Sequence, residues 1–366
     1  MESFRIVPAT VLLEMSKDFS GHRARREDSW YGYSEGKTWG AIPFAVSNLF
    51  RGQTARYFPL LPSIARGLQS VDIDQWWRSP LSDQAKLLLR LAQSWWFSQE
   101  LKRHPIAKHA AGQHLDLDEI GLAQHYGLST GYLDLTDDID VAAFFATCRQ
   151  TPNGWEPVDQ GIGVVYWVAL KTLEHPFGMY TSLGPQRLPR PTEQCAWVAE
   201  LPLCHSFEGW PNVKMMQFHH DRRIGEHYLN MFDGGKQLFP KDPLADVAAE
   251  ILGCREIPGV LIDAALDLFA KDPNGVLVDQ VPTLRKEIGS MVAIVNGRQL
   301  LSDQQISSLL TDPEWDSQML ADVKVRWRAV RRVPIHEQSV RHPESADGGE
   351  PSNNGSQSDA PRAARA

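Results

Sequence analysis

The sequence predicts an α+β fold, and three observations carry that reading. Gly161 to Leu170 (GIGVVYWVAL) is an unbroken apolar run, the pattern of a strand buried on both faces. Leu87, Leu88, Leu91 and Trp95 recur at helical spacing. Strand-like and helix-like stretches succeed one another without regular βα alternation and without an internal repeat.

In chain order, Ile6 to Met15 is mostly apolar, and Gly21 to Asp28 is a charged loop with Arg23, Arg25 and Arg26. Asn48 to Arg51 reads as a strand end and Gly52 as its break. Ser82 or Asp83 caps the Leu87–Trp95 helix, and Pro105 stops it. A second helix covers Leu117 to His125, followed by a short strand over Tyr132 to Leu135. Thr136 or Asp137 caps a helix running through Ile139, Ala142, Ala143, Phe145 and Ala146. Cys195 to Leu201 forms a further strand, and Ile224 to Phe232 and Ala245 to Leu252 form helices. Beyond Cys254 the signal weakens to short apolar runs at Val276–Val278 and Met291–Val295 and a helix over Asp303 to Leu310. Val323, Val325, Trp327 and Ala329 alternate with Lys324, Arg326 and Arg328, a period of two that gives a strand with one basic face. Glu337 to Ala366 is too poor in large apolar side chains to offset its ordering entropy and reads as a disordered tail. The expected organisation is a lead-in over 1–40, a main domain over 41–254, an α+β extension or small domain over 255–336, and the tail over 337–366.

Composition narrows the function classes. The chain has 366 residues, 42% of them hydrophobic, which suffices for a sizeable core. Its formal net charge of −8 argues against a general nucleic-acid coat. Four widely spaced cysteines do not make a disulfide scaffold. The N-terminus lacks a signal-peptide pattern, and no apolar run approaches the ~18 residues that span a bilayer. The expectation is a cytoplasmic protein without a membrane segment. A phosphate loop, a dinucleotide fingerprint, a nucleophile elbow and a zinc-protease motif are all missing. His219, His220, Asp221 and His227 form the densest histidine group, but without helical i, i+4 spacing, so no metal is expected.

Two stretches carry chemistry. In the first, Leu49 to Arg66, Arg51 sits at a strand end before Gly52, where a guanidinium can enter a cleft as the chain turns. Arginine suits planar, two-pronged capture of phosphate or carboxylate; the alternative is a structural pairing with Asp134 or Asp137. In the second, Leu122 to Thr147, Gln124, His125, Tyr126, Ser129 and Thr130 crowd beside Gly127 and Gly131, with Asp134 and Thr136 close behind. This is either a ligand wall or a buried turn whose side chains satisfy the backbone.

Together the two stretches resemble the FRG domain family, named for its Phe-Arg-Gly motif. Phe50, Arg51, Gly52 and Gln53 match that motif, and Pro62, Ser63 and Arg66 follow it. The second family signature is matched by Gln124, His125, Tyr126, Gly127, Leu128, Thr130, Leu133, Asp134, Thr136, Ala143, Phe145 and Ala146. The chain departs from it at Ser129, Gly131, Tyr132 and Leu135, where the family has Pro, Arg, Leu and Trp. Arg190 with Gln194, and Gly234/Gly235 through Leu238 to Asp242, are weaker matches, so the resemblance spans roughly residues 45 to 250.

The order of these pieces is similar to an ADP-ribosyltransferase-like split β-sheet core with surrounding helices. That similarity implies NAD as the substrate, for transfer to a protein or nucleic-acid acceptor or for cleavage. By the same implication Arg51 holds a pyrophosphate or ribose, and Ser129 and Thr130 bond the nicotinamide ribose or orient an acid. His125 or Tyr126 meets the ring, and Glu193 supplies the carboxylate, with Glu200 in reserve. Gln53, Gln124, Asp134, Thr136 and Gln194 complete the implied nucleotide site. The competing readings are a binding module without catalysis, and a nucleic-acid factor using Lys324, Arg326, Trp327, Arg328, Arg331 and Arg332.

Overall fold

The apolar run at Gly161–Leu170 becomes an interior strand of the main sheet. The computed structural model describes residues 6–19, 30–35, 38–43, 46–68, 79–112, 114–170, 179–183, 188–201, 206–210, 212–271, 278–297, 299–311 and 325–327. The Arg23–Arg26 loop, the tail from 337, and Lys324, Arg328, Arg331 and Arg332 lie outside them.

In chain order the strands are β1 (Val7–Pro8), β2 (Trp30–Glu35), β3 (Thr38–Pro43), β4 (Asn48–Gln53), β5 (Tyr132–Thr136), β6 (Cys148–Thr151), β7 (Gly154–Pro157), β8 (Ile162–Ala169), β9 (Tyr180–Ser182), β10 (Ala196–Glu200), β11 (Val213–His219), β12 (Glu256–Pro258), β13 (Ala293–Val295) and β14 (Val325–Trp327). Seven of them form one mixed sheet in the order β1-β11-β8-β4-β5-β10-β9. With eleven helices among the described residues, the architecture is mixed α and β.

The sheet has a weak seam. β4 pairs antiparallel with β8 over its whole length, Asn48↔Ala169 to Gln53↔Val164. β5 pairs antiparallel with β10 from Tyr132↔Glu200 to Thr136↔Ala196. Between β4 and β5 a single pair, Phe50↔Thr136, joins the two blocks. Where a split sheet is expected, one continuous order is found, thinned to that one pair.

Strand alternation sends side chains to two cores. Leu49, Leu133, Leu135, Val164, Tyr166, Val168 and Trp197 pack on one face. Phe50, Val165 and Phe218 pack on the other, against Val141, Ala142 and Phe144 of the helix Ile139–Thr147 and Ile224 and Tyr228 of the helix Arg222–Met231. A third core lies beyond β10. There Leu88, Ala92 and Trp96 of the helix Leu81–Leu101 meet Leu122 of the helix Glu119–His125 and Leu244 and Ile251 of the helix Pro243–Gly253. Leu261 and Leu266 of the helix Gly259–Ala270 and Leu284 and Ile288 of the helix Val281–Met291 join the same core.

Several boundaries differ from those expected. Pro80, not Ser82 or Asp83, precedes the long helix, which runs to Leu101. Pro105 opens the helix Pro105–Gly112, where its missing N–H costs nothing. The helix Ile139–Thr147 is capped by Asp138, whose Oδ1 accepts from Asp140 N at 2.9 Å. Thr136 and Asp137 face inward instead: Asp137 Oδ2 accepts from Trp197 Nε1 at 2.8 Å. Of the strand expected over Val323–Ala329, Val325–Trp327 is found as β14, which pairs parallel with β2. No helix among the described residues is long and apolar enough to cross a membrane.

Candidate functional site

The site begins where the β4–β5 ladder stops. Past Phe50↔Thr136 the strands separate, and the Arg51 guanidinium enters the gap. Its Nη1 donates to the Asp134 carbonyl oxygen at 2.7 Å, a side-chain substitute for a ladder hydrogen bond. The same Nη1 lies 3.9 Å from Asp134 Oδ2. The structural pairing with Asp134 is therefore realised, and the crevice exists beside it.

Gly52 allows the next close approach. A Cβ there would stand 1.8 Å from the Ala142 carbonyl oxygen and 2.8 Å from Ala146 N. The helix Ile139–Thr147 thus lies directly on the β4 backbone and closes one side of the crevice. The resulting cavity, of about 180 Å³, is lined by Arg51, His125, Asp134, Thr136, Arg190 and Gln194 among its polar groups. Phe50, Phe145 and Phe239 contribute aromatic wall, and Val141, Ala142 and Leu135 the remainder.

Among the described residues, Asp134 is the one carboxylate on the lining. Burial alone would raise its pKa, but His125, Arg51 and Gln124 together hold it below the usual carboxylate range. Its Oδ2 accepts from Gln124 Nε2 at 3.0 Å. Its Oδ1 has no hydrogen-bond partner and lies 3.6 Å from His125 Nδ1. Its side chain is 36% exposed, so it is open to whatever enters. His125 is buried, and that burial lowers its pKa against the pull of Asp134, so it is neutral at neutral pH. Burial also lowers Arg51 to about 10, with Asp134 opposing, and leaves it a cation.

Behind the lining a hydrogen-bond relay fixes the carboxylate. Thr130 Oγ1 donates to Gln124 Oε1 at 2.9 Å, and Ser63 Oγ donates to the same oxygen. With that oxygen engaged, the Gln124 amide nitrogen is the end that faces Asp134. Thr136 Oγ1 donates to the Gln194 carbonyl at 2.8 Å, and Gln194 Nε2 donates to Leu238 O at 2.7 Å, tying β5 to the segment that carries Phe239.

Of the expected site residues, Arg51, His125, Asp134, Thr136 and Gln194 meet in this cavity. The others do not line it. Thr130 is buried one step behind, in the relay. Tyr126 is also buried, its hydroxyl donating to Asp242 Oδ2. Gln53 is buried in β4, and Ser129 and Glu193 are half-buried away from the lining. The threonine on the lining is Thr136 rather than Thr130, and the acid there is Asp134 rather than Glu193. Glu200 stands at the far end of β10, opposite Tyr132.

Among the lining residues outside the expected site, Arg190 and Phe239 bring a cation and an aromatic face. Arg190 comes from the helix Pro189–Glu193 and Phe239 from the loop before Asp242. Both lie in stretches with only weak family-like patterns, and no local spacing links them to Arg51. The histidine group serves other ends: His220 Nε2 bonds Thr54 O at 2.8 Å, and Asp221 caps the helix Arg222–Met231. No group of three or more metal-binding side chains occurs among the described residues.

No curated protein and no solved structure matches the chain. The family match is shorter than the span the motifs suggested. It holds Arg51, Gly52, Gln124, His125, Asp134, Thr136 and the helix over the cavity, and it leaves out Arg190, Gln194 and Phe239. Residues 47–154 match the family model of the FRG domain, and the chain carries an FRG domain there.

Proposed function

We propose that the cavity takes the ribose end of a nucleotide, with NAD as the substrate, and that the chain cleaves or transfers ADP-ribose. The observation that carries this reading is the lone ionised carboxylate of Asp134, set at the sheet seam between Arg51 and His125 and beside an aromatic wall. Cationic groups outnumber it: Arg51 and Arg190 line the cavity, and exposed Arg66 is close enough to Asp134 to feel its charge. A ligand with anionic phosphates and a neutral sugar suits that balance. A cavity of about 180 Å³ holds one ring or sugar and leaves the rest of a dinucleotide outside.

The chemistry needs little from the protein beyond placement and charge. The bond between ribose C1′ and the nicotinamide nitrogen breaks, its electron pair leaves with the ring, and nicotinamide departs neutral. Positive charge develops on the ribose, where a fixed carboxylate is worth most. Water or an acceptor group then attacks C1′ and loses a proton. Asp134, held ionised by its neighbours, fills the stabilising role; Gln124 and Thr130 are positioning residues behind it.

A second reading, binding without turnover, is favoured by the engagement of Asp134 with Gln124 and Arg51. One experiment separates the two. The protein is incubated with NAD, and released nicotinamide is followed by chromatography. Release that falls at least about 100-fold in Asp134→Asn, while ADP-ribose still binds, supports catalysis. Stabilisation by NAD without nicotinamide release leaves the binding module. Neither release nor binding of NAD overturns both.

A further inference from the structure

We propose that Arg190 is the receptor for a phosphoanhydride group at this cavity, a role distinct from that of Arg51; the proposal deepens the nucleotide reading and rests on it for the identity of the whole ligand.

The two lining arginines differ in what they already hold. Arg51 donates to the Asp134 carbonyl and has the Asp134 carboxylate beside it, so its charge is largely offset within the fold. Arg190 has no hydrogen bond or ion pair among the described residues. Its Nε is buried without a partner. Its guanidinium is held by rings instead: Cζ stands 4.8 Å from the Phe239 centroid and 5.6 Å from the Tyr126 centroid.

Ring contacts fix a guanidinium without consuming its donors. They engage the flat faces and leave the in-plane N–H groups to a ligand. The supporting rings are themselves fixed. Tyr126 is buried and bonded to Asp242, and Asp242 Oδ1 caps the helix Pro243–Gly253 by accepting from Leu244 N at 2.9 Å. Phe239 stacks on Trp155 with centroids 5.2 Å apart. Asp134 and Asp242 act on Arg190 only through longer-range attraction, so neither quenches it. A fixed fork with free donors, on the wall of a cavity whose one acid is already matched by Arg51, is suited to a phosphate oxygen pair.

The test uses calorimetric titration of the full chain with four probes: inorganic pyrophosphate, ADP-ribose, NAD and nicotinamide riboside. Arg190→Gln is expected to weaken pyrophosphate and ADP-ribose by about tenfold or more and to leave the phosphate-free riboside unchanged. Arg190→Lys keeps the charge but not the fork and recovers part of the loss. Because Arg190 makes no hydrogen bond or ion pair among the described residues, both variants should unfold near the wild-type midpoint; if Arg190→Gln does not fold, the Lys variant carries the comparison. Unchanged pyrophosphate and ADP-ribose affinity overturns the proposal, as does an equal loss for the riboside, or a wild-type protein that binds neither phosphoanhydride. Pyrophosphate binding that depends on Arg190 in a protein that ignores NAD supports this assignment and removes NAD as the substrate.

Discussion

Gly52 shows how much of the site one absent atom decides. The Ala142 carbonyl and Ala146 nitrogen that a Cβ would strike are backbone atoms of a helix and cannot swing aside. Gly52→Ala must therefore push the helix Ile139–Thr147 off β4, which opens the cavity on the Val141 and Phe145 side. We expect a loss of about 3 kcal/mol, the upper end of overpacking costs, read as a lower urea midpoint. A variant within about 0.5 kcal/mol of wild type would show that the helix does not rest on this strand. The residues of the site were legible to unequal degrees. Arg51, His125 and Asp134 stand in dense local motifs, so their types and spacing announced them. Thr130 shared the same motif but turned to Gln124. Three neighbouring residues, Thr136, Asp137 and Asp138, can all cap a helix; the choice fell to Asp138 because β5 and Trp197 claimed the other two.

The helix Pro105–Gly112 depends on a titratable cap. His104 is fully buried, its carbonyl accepts from Lys108 N at 3.0 Å, and its ring Nδ1 accepts from Ile106 N at 3.3 Å. A proton on Nδ1 would remove that acceptor. Burial accordingly lowers His104 from the ordinary 6.5 to about 4. The unfolded chain takes up this proton near 6.5 and the folded chain only near 4. Stability from this group is thus complete above 6.5 and is lost as the pH falls toward 4, at about 1.4 kcal/mol per pH unit in the steep region. His104→Asn retains an acceptor for Ile106 N and does not titrate there. Its unfolding free energy should fall less steeply over that interval than the wild type's, and parallel slopes would remove His104 as the cause. The sequence pattern gave no hint of this element, since Pro105 reads as a stop when its neighbours are weighed by periodicity alone. β11 was missed for a related reason. Its alternation is blurred by Met215 and Met216, whereas its partner β8 declared itself by an unbroken apolar run.

For the whole molecule, the span that carries the family match is not the unit that folds. β4 finds its long ladder on β8, and β5 finds its own on β10, both outside 47–154. Within the span the two strands share one pair, too little to hold a sheet against chain entropy. The third core makes the same point from the other side. Leu88, Trp96 and Leu122 lie in the span, but they are buried against Leu244, Leu261 and Leu284. A fragment of residues 47–154 therefore exposes both an unpaired strand edge on β4 and the apolar flank of the helix Leu81–Leu101. It should lack a cooperative unfolding transition by circular dichroism and bind dyes that report exposed apolar surface. A fragment of residues 1–333 keeps every described partner and should unfold cooperatively near the full chain's midpoint. If 47–154 alone unfolds cooperatively, its strands must pair in a register other than the one found here, and the seam at Phe50↔Thr136 would be a property of the longer chain rather than of the FRG domain.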